Sequence, residues 1–160
     1  MYMDNIKINF MNVISNVFTS VMKAQEEYIR HSEYSDLSLT EMHVLEAVKK
    51  ESFPTMSNVS ARLKITIGTL TTNVKTIIKK GYLTKKPYPK DHRFMILSLT
   101  PRGEDALKVH DQFHQEIIHI LDHAIPESEF SFVYHAFEQV QDEVKTFNEE
   151  LKNKNKGQSQ

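Results

Sequence analysis

Two short amphipathic segments joined by only three residues, 64–66, constrain this chain more than any other feature. On one side Met56, Val59 and Leu63 repeat at spacings of three and four. They follow Pro54, which breaks the chain, and Thr55, which can cap a helix over Met56–Leu63. On the other side Leu70, Val74 and Ile77 mark the inner face of a helix predicted over 67–80, with Thr66 as its cap and Gly81 where a C-terminal stop belongs. Thr69, Thr72, Lys75, Thr76 and Lys79 fall on the outer face. Two short helices on so tight a turn, the second polar and basic outside, make the helix-turn-helix pattern.

Next come two strand-like runs, 82–86 and 94–99, around the sequence PYPKDHR, with Met95, Leu97 and Leu99 alternating with Phe94, Ile96 and Ser98. They predict a β-hairpin, a wing, with a basic tip. Charge follows the same boundaries. From Arg62 to Arg102 there are ten Lys or Arg and a single acid, Asp91, while the rest of the chain carries ten basic and twenty acidic residues. The formal net charge of −1 therefore hides a polarised molecule that favours a polyanion at one segment.

Longer helices are predicted on either side. Over 4–30, Ile6, Phe10, Val13, Val17, Val21 and Tyr28, with Ile14, Phe18 and Met22 alongside, form one wide apolar stripe. The polar run 31–36 interrupts it. Ser38 with Glu41 then fits a capping box for a helix reaching about Lys50, its buried side made by Leu39, Met42, Leu45 and Val48. After the wing, Thr100 and Pro101 start a helix that reaches about Ala124 through Ala106, Val109, Phe113, Ile117, Ile120 and Leu121. Pro126, Glu127 and Glu129 open the last one. In it Phe130, Val133, Phe137, Val140, Val144, Phe147 and Leu151 keep the three–four alternation of a helix–helix seam, and a disordered tail is expected over 153–160.

The expected fold is mostly α with a small β-hairpin wing: a winged helix-turn-helix with long dimerisation helices at both ends. One domain is expected over 1–152, with its DNA-binding part at about 36–100 and dimerisation helices at 1–30 and 101–152. At 160 residues and 39% hydrophobic content the chain is long enough for one core, and only four glycines argue against an all-β fold. Without cysteine it has no disulfide framework, thiolate metal site or Cys nucleophile. No apolar run opens or crosses it, so a cytoplasmic protein with no membrane partner is expected. It has no phosphate-cradling glycine loop and no serine in a nucleophile elbow, which argues against an enzyme.

With these elements in order, the chain resembles the MarR family of winged-helix bacterial transcription regulators from end to end. The resemblance is carried by DHRFMILSLTPRG, with Asp91 and Arg93 at the wing tip and Leu99, Thr100 and Gly103 opening the next helix, and by Lys80-Gly81-Tyr82-Leu83. Within the family, EMHVLEAV (41–48), TIGTLTTNV (66–74), KKGYL and the HxxxH at His110 and His114 look most like the branch that represses fatty-acid-synthesis genes in Gram-positive bacteria. That branch takes long-chain acyl-acyl carrier protein as co-repressor. The resemblance implies a homodimeric repressor on an operator in double-stranded DNA, with Asp91 pairing with and orienting Arg93.

A helix fits the major groove, where Thr66, Ile67, Gly68, Thr69, Thr71 and Thr72 offer hydroxyls, methyls and close backbone approach. No arginine lies on this helix, a departure from many family members, so an A/T-rich palindrome is expected, read through thymine methyls and groove shape. Lys75, Lys79 and the cap residues Thr55, Ser57 and Asn58 are candidates for phosphate. Arg93, flanked by Lys90, Asp91 and His92, is the candidate for the minor groove. An effector pocket is expected at Met42, His43, His110, Phe113 and His114. His43, His110 and His114 also match metal-ligand positions of the family's zinc-sensing branch, so a zinc-responsive regulator is the alternative; no cofactor is otherwise expected. A second alternative is a non-DNA helical module whose basic segment binds an acidic partner.

Overall fold

The structure, a computed structural model, describes residues 2–157. In chain order it has α1 (Tyr2–Arg30), α2 (Leu39–Lys50), α3 (Met56–Leu63), α4 (Ile67–Lys79), an antiparallel hairpin of β1 (Leu83–Tyr88) and β2 (Asp91–Leu99), α5 (Pro101–Ala124) and α6 (Glu127–Gly157). The expected mostly helical winged fold is what forms. The chain makes two compact units, Met1–Gln115 and Glu116–Gln160. The break falls inside α5, within the stretch read from sequence as one domain.

The core lies in the first unit. Met42, Val44 and Leu45 of α2 pack with Val59, Leu70, Ile77, Tyr82, Leu83, Leu97 and Ala106, all of them essentially inaccessible to solvent. There α2, α3, α4 and α5 each begin on a side chain that satisfies an otherwise orphaned N–H. Ser38 accepts from the Glu41 N–H while Glu41 accepts from the Ser38 N–H, a complete capping box. Thr55 and Thr66 cap α3 and α4 in the same way, accepting from Asn58 and Thr69. Between them Lys64 takes the left-handed conformation at φ 55, and the Ile65 N–H closes back on the Ser60 carbonyl. Gly81, at φ 84, ends α4 with two backbone bonds, Gly81 N–H to Ile78 and Tyr82 N–H to Ile77, the Schellman arrangement.

The segment 80–83 ties this unit together. The Lys80 ammonium reaches both carboxylate oxygens of Glu41 (2.9 and 2.7 Å) and the Asp36 carbonyl (2.5 Å). The buried Tyr82 phenol donates to Asp36 and lies 4.5 Å under the Arg102 guanidinium. Burial, and then the bond to Asp36, push that phenol up to about 12. The Tyr82 carbonyl accepts from the Thr100 N–H, and the Thr100 hydroxyl donates to the Gly81 carbonyl while accepting from the Gly103 N–H. Gly103 has to be glycine, since a Cβ there would lie 2.3 Å from the Tyr82 carbonyl oxygen.

Two expectations need correction. The strands run to Tyr88 and from Asp91, so the hairpin is longer than predicted, with only Pro89 and Lys90 between its strands. Cross-strand backbone pairing, with a register shift at Pro87 and Tyr88, continues where the residue types looked loop-like. The last helix continues to Gly157, beyond the predicted start of the tail at 153, because lysine and asparagine tolerate a helix that is already propagating; residues 158–160 of that tail lie outside the described residues. The apolar stripes of the end helices, expected at dimerisation surfaces, are exposed in the single chain: Ile6, Val13 and Val17 on α1 and Val140, Val144 and Phe147 on α6.

Gly103→Ala is expected to destabilise the protein by about 1–3 kcal/mol, the scale of an overpacked core site. Gly68→Ala, whose new methyl would meet nothing nearer than the Thr66 hydroxyl at 3.8 Å, is expected to leave stability unchanged or raise it by up to about 1 kcal/mol. Denaturant unfolding of the two variants beside the wild type checks both.

Candidate nucleic-acid interface

α4 turns Leu70, Val74 and Ile77 inward and leaves Ile67, Gly68, Thr69, Thr71, Thr72, Lys75, Thr76 and Lys79 exposed, as its periodicity predicts. Its threonines are internally bonded. Thr71 donates to the Ile67 carbonyl at 2.7 Å, Thr72 to Gly68 at 3.4 Å and Thr76 to Thr72 at 3.2 Å. The Thr66 and Thr69 hydroxyls bond to each other at 2.9 Å. With the donor protons used in the helix, Thr71, Thr72 and Thr76 present acceptor lone pairs and methyl groups outward.

At the start of α3, Thr55 is half-buried as the cap, and Ser57 and Asn58 are exposed. The Asn58 amide is already engaged, donating to the Phe53 carbonyl at 2.8 Å. In the wing, Lys90 sits at the tip, while Asp91, His92 and Arg93 belong to β2 rather than to a loop. Arg93 is 86% exposed and forks onto Asp91 with Nε at 3.0 Å and Nη2 at 2.6 Å; its backbone N–H also reaches the Asp91 carboxylate. The guanidinium holds the Asp91 carboxyl below its ordinary range, so the pair stays ionised.

Arg62 pairs with Glu51, Lys80 with Glu41, Arg93 with Asp91 and Arg102 with Asp36. Among the described residues the other six cations of this segment, Lys64, Lys75, Lys79, Lys85, Lys86 and Lys90, have no ion pair, so the basic field is largely uncompensated. Sequence reasoning passed over the connection between α2 and α3. Its Phe53 ring lies 5.0 Å from Tyr88 and 5.7 Å from Phe94, and its Pro54 carbonyl accepts from the Leu97 N–H. A lone aromatic beside a proline carries no periodic signal, and only the paired aromatics of a distant hairpin reveal its use.

The residues expected at an effector pocket divide. Met42 is fully buried in the core and Phe113 is buried against Tyr28, at 5.6 Å between rings. The three histidines do meet: His110 lies 5.6 Å from His43 and 4.4 Å from His114 between ring centres. His110 is buried, its Nδ1 is 2.9 Å from the Gln25 amide nitrogen, and its Nε2 has no hydrogen-bond partner. Burial, reinforced by His114, lowers the His110 pKa. One potential ligand atom each from Glu46, His110 and His114 lie within 4.8 Å of one another, and His43 is beside rather than within that set. Glu46 is also bonded by Lys50 at 2.6 Å. Nearby, Ala24, Glu27, Tyr28, His31, Ser32, Val109 and Gln112 line a cavity of about 540 Å³. His119 and His123, which share the four-residue spacing, are exposed, with the His123 ring bonded to the His119 carbonyl.

A winged helix DNA-binding domain matches residues 37–103, from the α2 cap to the first turn of α5. Fold and charge together thus define a winged-helix DNA-binding protein. Over 130 residues the chain is 28% identical to the HTH-type transcriptional regulator SarZ of Staphylococcus saprophyticus, covering 76% of this chain and 88% of that one. It is similar to Streptococcus pneumoniae FabT, solved in complex with DNA, at 25% identity and a TM-score of 0.82, over 88% of this chain and 99% of that one. A MarR/EmrR family regulator from Acinetobacter has the same fold at 17% identity and a TM-score of 0.67, over 89% and 97% of the two chains. The chain is a winged-helix DNA-binding transcriptional regulator, and it has the fold of MarR-family regulators. Among the described residues no helix is long and apolar enough to cross a membrane.

Proposed function

We propose that this regulator is a homodimeric repressor of fatty-acid-synthesis genes that reads an A/T-rich palindrome, with long-chain acyl-acyl carrier protein as co-repressor. The observation that carries the DNA part is the outer face of α4, which combines exposed threonine methyls and unpaired lysines with no arginine. Methyls and acceptors suit thymine methyls and the exocyclic amines of adenine, whereas a guanine reader needs donors. Lys75, Lys79 and Ser57 supply phosphate contacts that set register. Arg93, held extended by Asp91 and exposed, enters the minor groove, where narrow A·T tracts attract guanidinium groups.

The exposed apolar stripes on α1 and α6 support a two-fold dimer, and two α4 helices about 34 Å apart read the two half-sites. Arg93→Ala is expected to weaken operator binding by about 1–3 kcal/mol, and binding selection is expected to return A/T-rich half-sites. Unchanged affinity in anisotropy titrations, or G-rich selected sites, would overturn this account of recognition.

The co-repressor reading is supported by the motifs at 41–48 and 66–74 and by the likeness to FabT. A ligand seated by His43, His114 and the cavity at Tyr28 and Val109 controls binding only by preferring the DNA-competent state. Long-chain acyl-acyl carrier protein is expected to tighten operator binding fivefold or more, a coupling of about 1 kcal/mol. A titration unchanged by it would remove the co-repressor and leave the DNA reading standing.

A second reading, zinc response, is favoured by the orphaned Nε2 of buried His110. Two imidazoles and a carboxylate suit zinc, and His110, His114 and Glu46 would hold it. The Gln25 amide must then turn its oxygen to His110, so that Nδ1 carries the proton and Nε2 is free to ligate. This reading expects one zinc per chain by elemental analysis, lost in His114→Ala, and operator affinity altered by a chelator; absence of stoichiometric zinc after loading and dialysis would dismiss it.

A further inference from the structure

We propose that Phe53, in the connection between α2 and α3, is a positioning residue for DNA recognition: its ring fixes the wing to the start of α3, so that Arg93 and α4 engage one duplex in a set register. The inference rests on the operator-binding reading above and adds a residue to it.

An isolated two-stranded hairpin is at best marginally stable in water. Here only the base of the wing is rooted in the core, through buried Leu83 and Leu97. Farther out, Phe94 and Met95 are exposed and the strand register shifts at Tyr88. What holds that outer half is Phe53, which meets Tyr88 of β1 and Phe94 of β2 edge to face, at interplanar angles of 87° and 72°. One ring thus clasps both strands from outside the hairpin.

The backbone of the same residue belongs to the helix-turn-helix. Its carbonyl accepts from the Thr55 N–H and the Asn58 amide, each at 2.8 Å, and Thr55 is the cap of α3. Pro54 and Thr55 then pair with β2, through the Leu97 N–H and a bridge from Thr55 to Ile96. Successive side chains of a strand point to opposite faces. Seating Phe94 against Phe53 therefore aims its neighbour Arg93 away from the protein, where it is 86% exposed. Residue 53 is the hinge point at which the direction of Arg93 and the placement of α3 are set by one side chain.

The test measures anisotropy binding to three duplexes: the selected palindrome with A·T flanks, the same palindrome with G·C flanks under the wing, and one with altered half-sites. The wild type is expected to discriminate against both changed duplexes. Phe53→Ala is expected to lose at least fivefold in flank discrimination while keeping half-site discrimination, Phe53→Tyr to restore it, and Phe53→Ala to add little on an Arg93→Ala background. Retained flank discrimination in Phe53→Ala, or equal weakening on all three duplexes with a lowered Tm, would overturn the proposal and make Phe53 a stability residue. If Phe53→Ala does not fold, Phe94→Leu reads the same contact with the same expected outcomes. A wild type blind to the flanks would instead refute the wing contact itself, and the role of Phe53 with it.

Discussion

The pairing of Lys80 with Glu41 is the interaction on which the DNA-binding unit depends. Glu41 is buried, and a buried carboxylate is costly unless every lone pair is used. Here it serves twice, accepting from the Ser38 N–H to start α2 and from Lys80 at the end of α4. The beginning of one helix and the end of another, 39 residues apart, are thereby fixed to the same two oxygen atoms. Asp36 extends the arrangement, taking Lys80 on its carbonyl and Tyr82 and Arg102 on its carboxylate. The inward face of α4 is set by apolar packing, but its rotation and axial position are set by these polar contacts.

This explains why the residues that carried the family resemblance are mostly not the ones that face outward. Lys80, Gly81, Tyr82 and Leu83 supply an ion pair, a left-handed turn, a buried ring and a core side chain. Thr100 and Gly103 stitch the start of α5 to the carbonyls of Gly81 and Tyr82. Residues at such points have few substitutes, since each is fixed by a specific partner, a positive φ, a close backbone approach or the core. The recognition face has no comparable demand, which is why Thr69 or Thr72 identify nothing when taken alone.

What was legible in the sequence follows from the same distinction. Caps and stops act over three or four residues, so Ser38, Thr55, Thr66 and Gly81 announced their helices, and the Leu70, Val74 and Ile77 spacing announced the buried face of α4. Contacts between distant segments left no local trace. Phe53 carried no periodic signal, and the partner of His110 turned out to be Gln25, 85 residues away on α1. The length of the wing was hidden for another reason: Pro87 and Pro89 read as turn residues, yet an edge hairpin tolerates proline wherever no ladder N–H is required.

The six unpaired lysines sit in a chain whose net charge is nearly zero. A duplex far away therefore meets almost no net attraction or repulsion, and the pull develops only within about one Debye length, roughly 8–10 Å in cellular salt. At that range the field behaves as a dipole, and a dipole exerts a torque. The six lysines are pulled toward the phosphates, so the orientation of the first unit is chosen during the final approach. Uneven charge, more than charge itself, gives that unit one face with which to meet DNA.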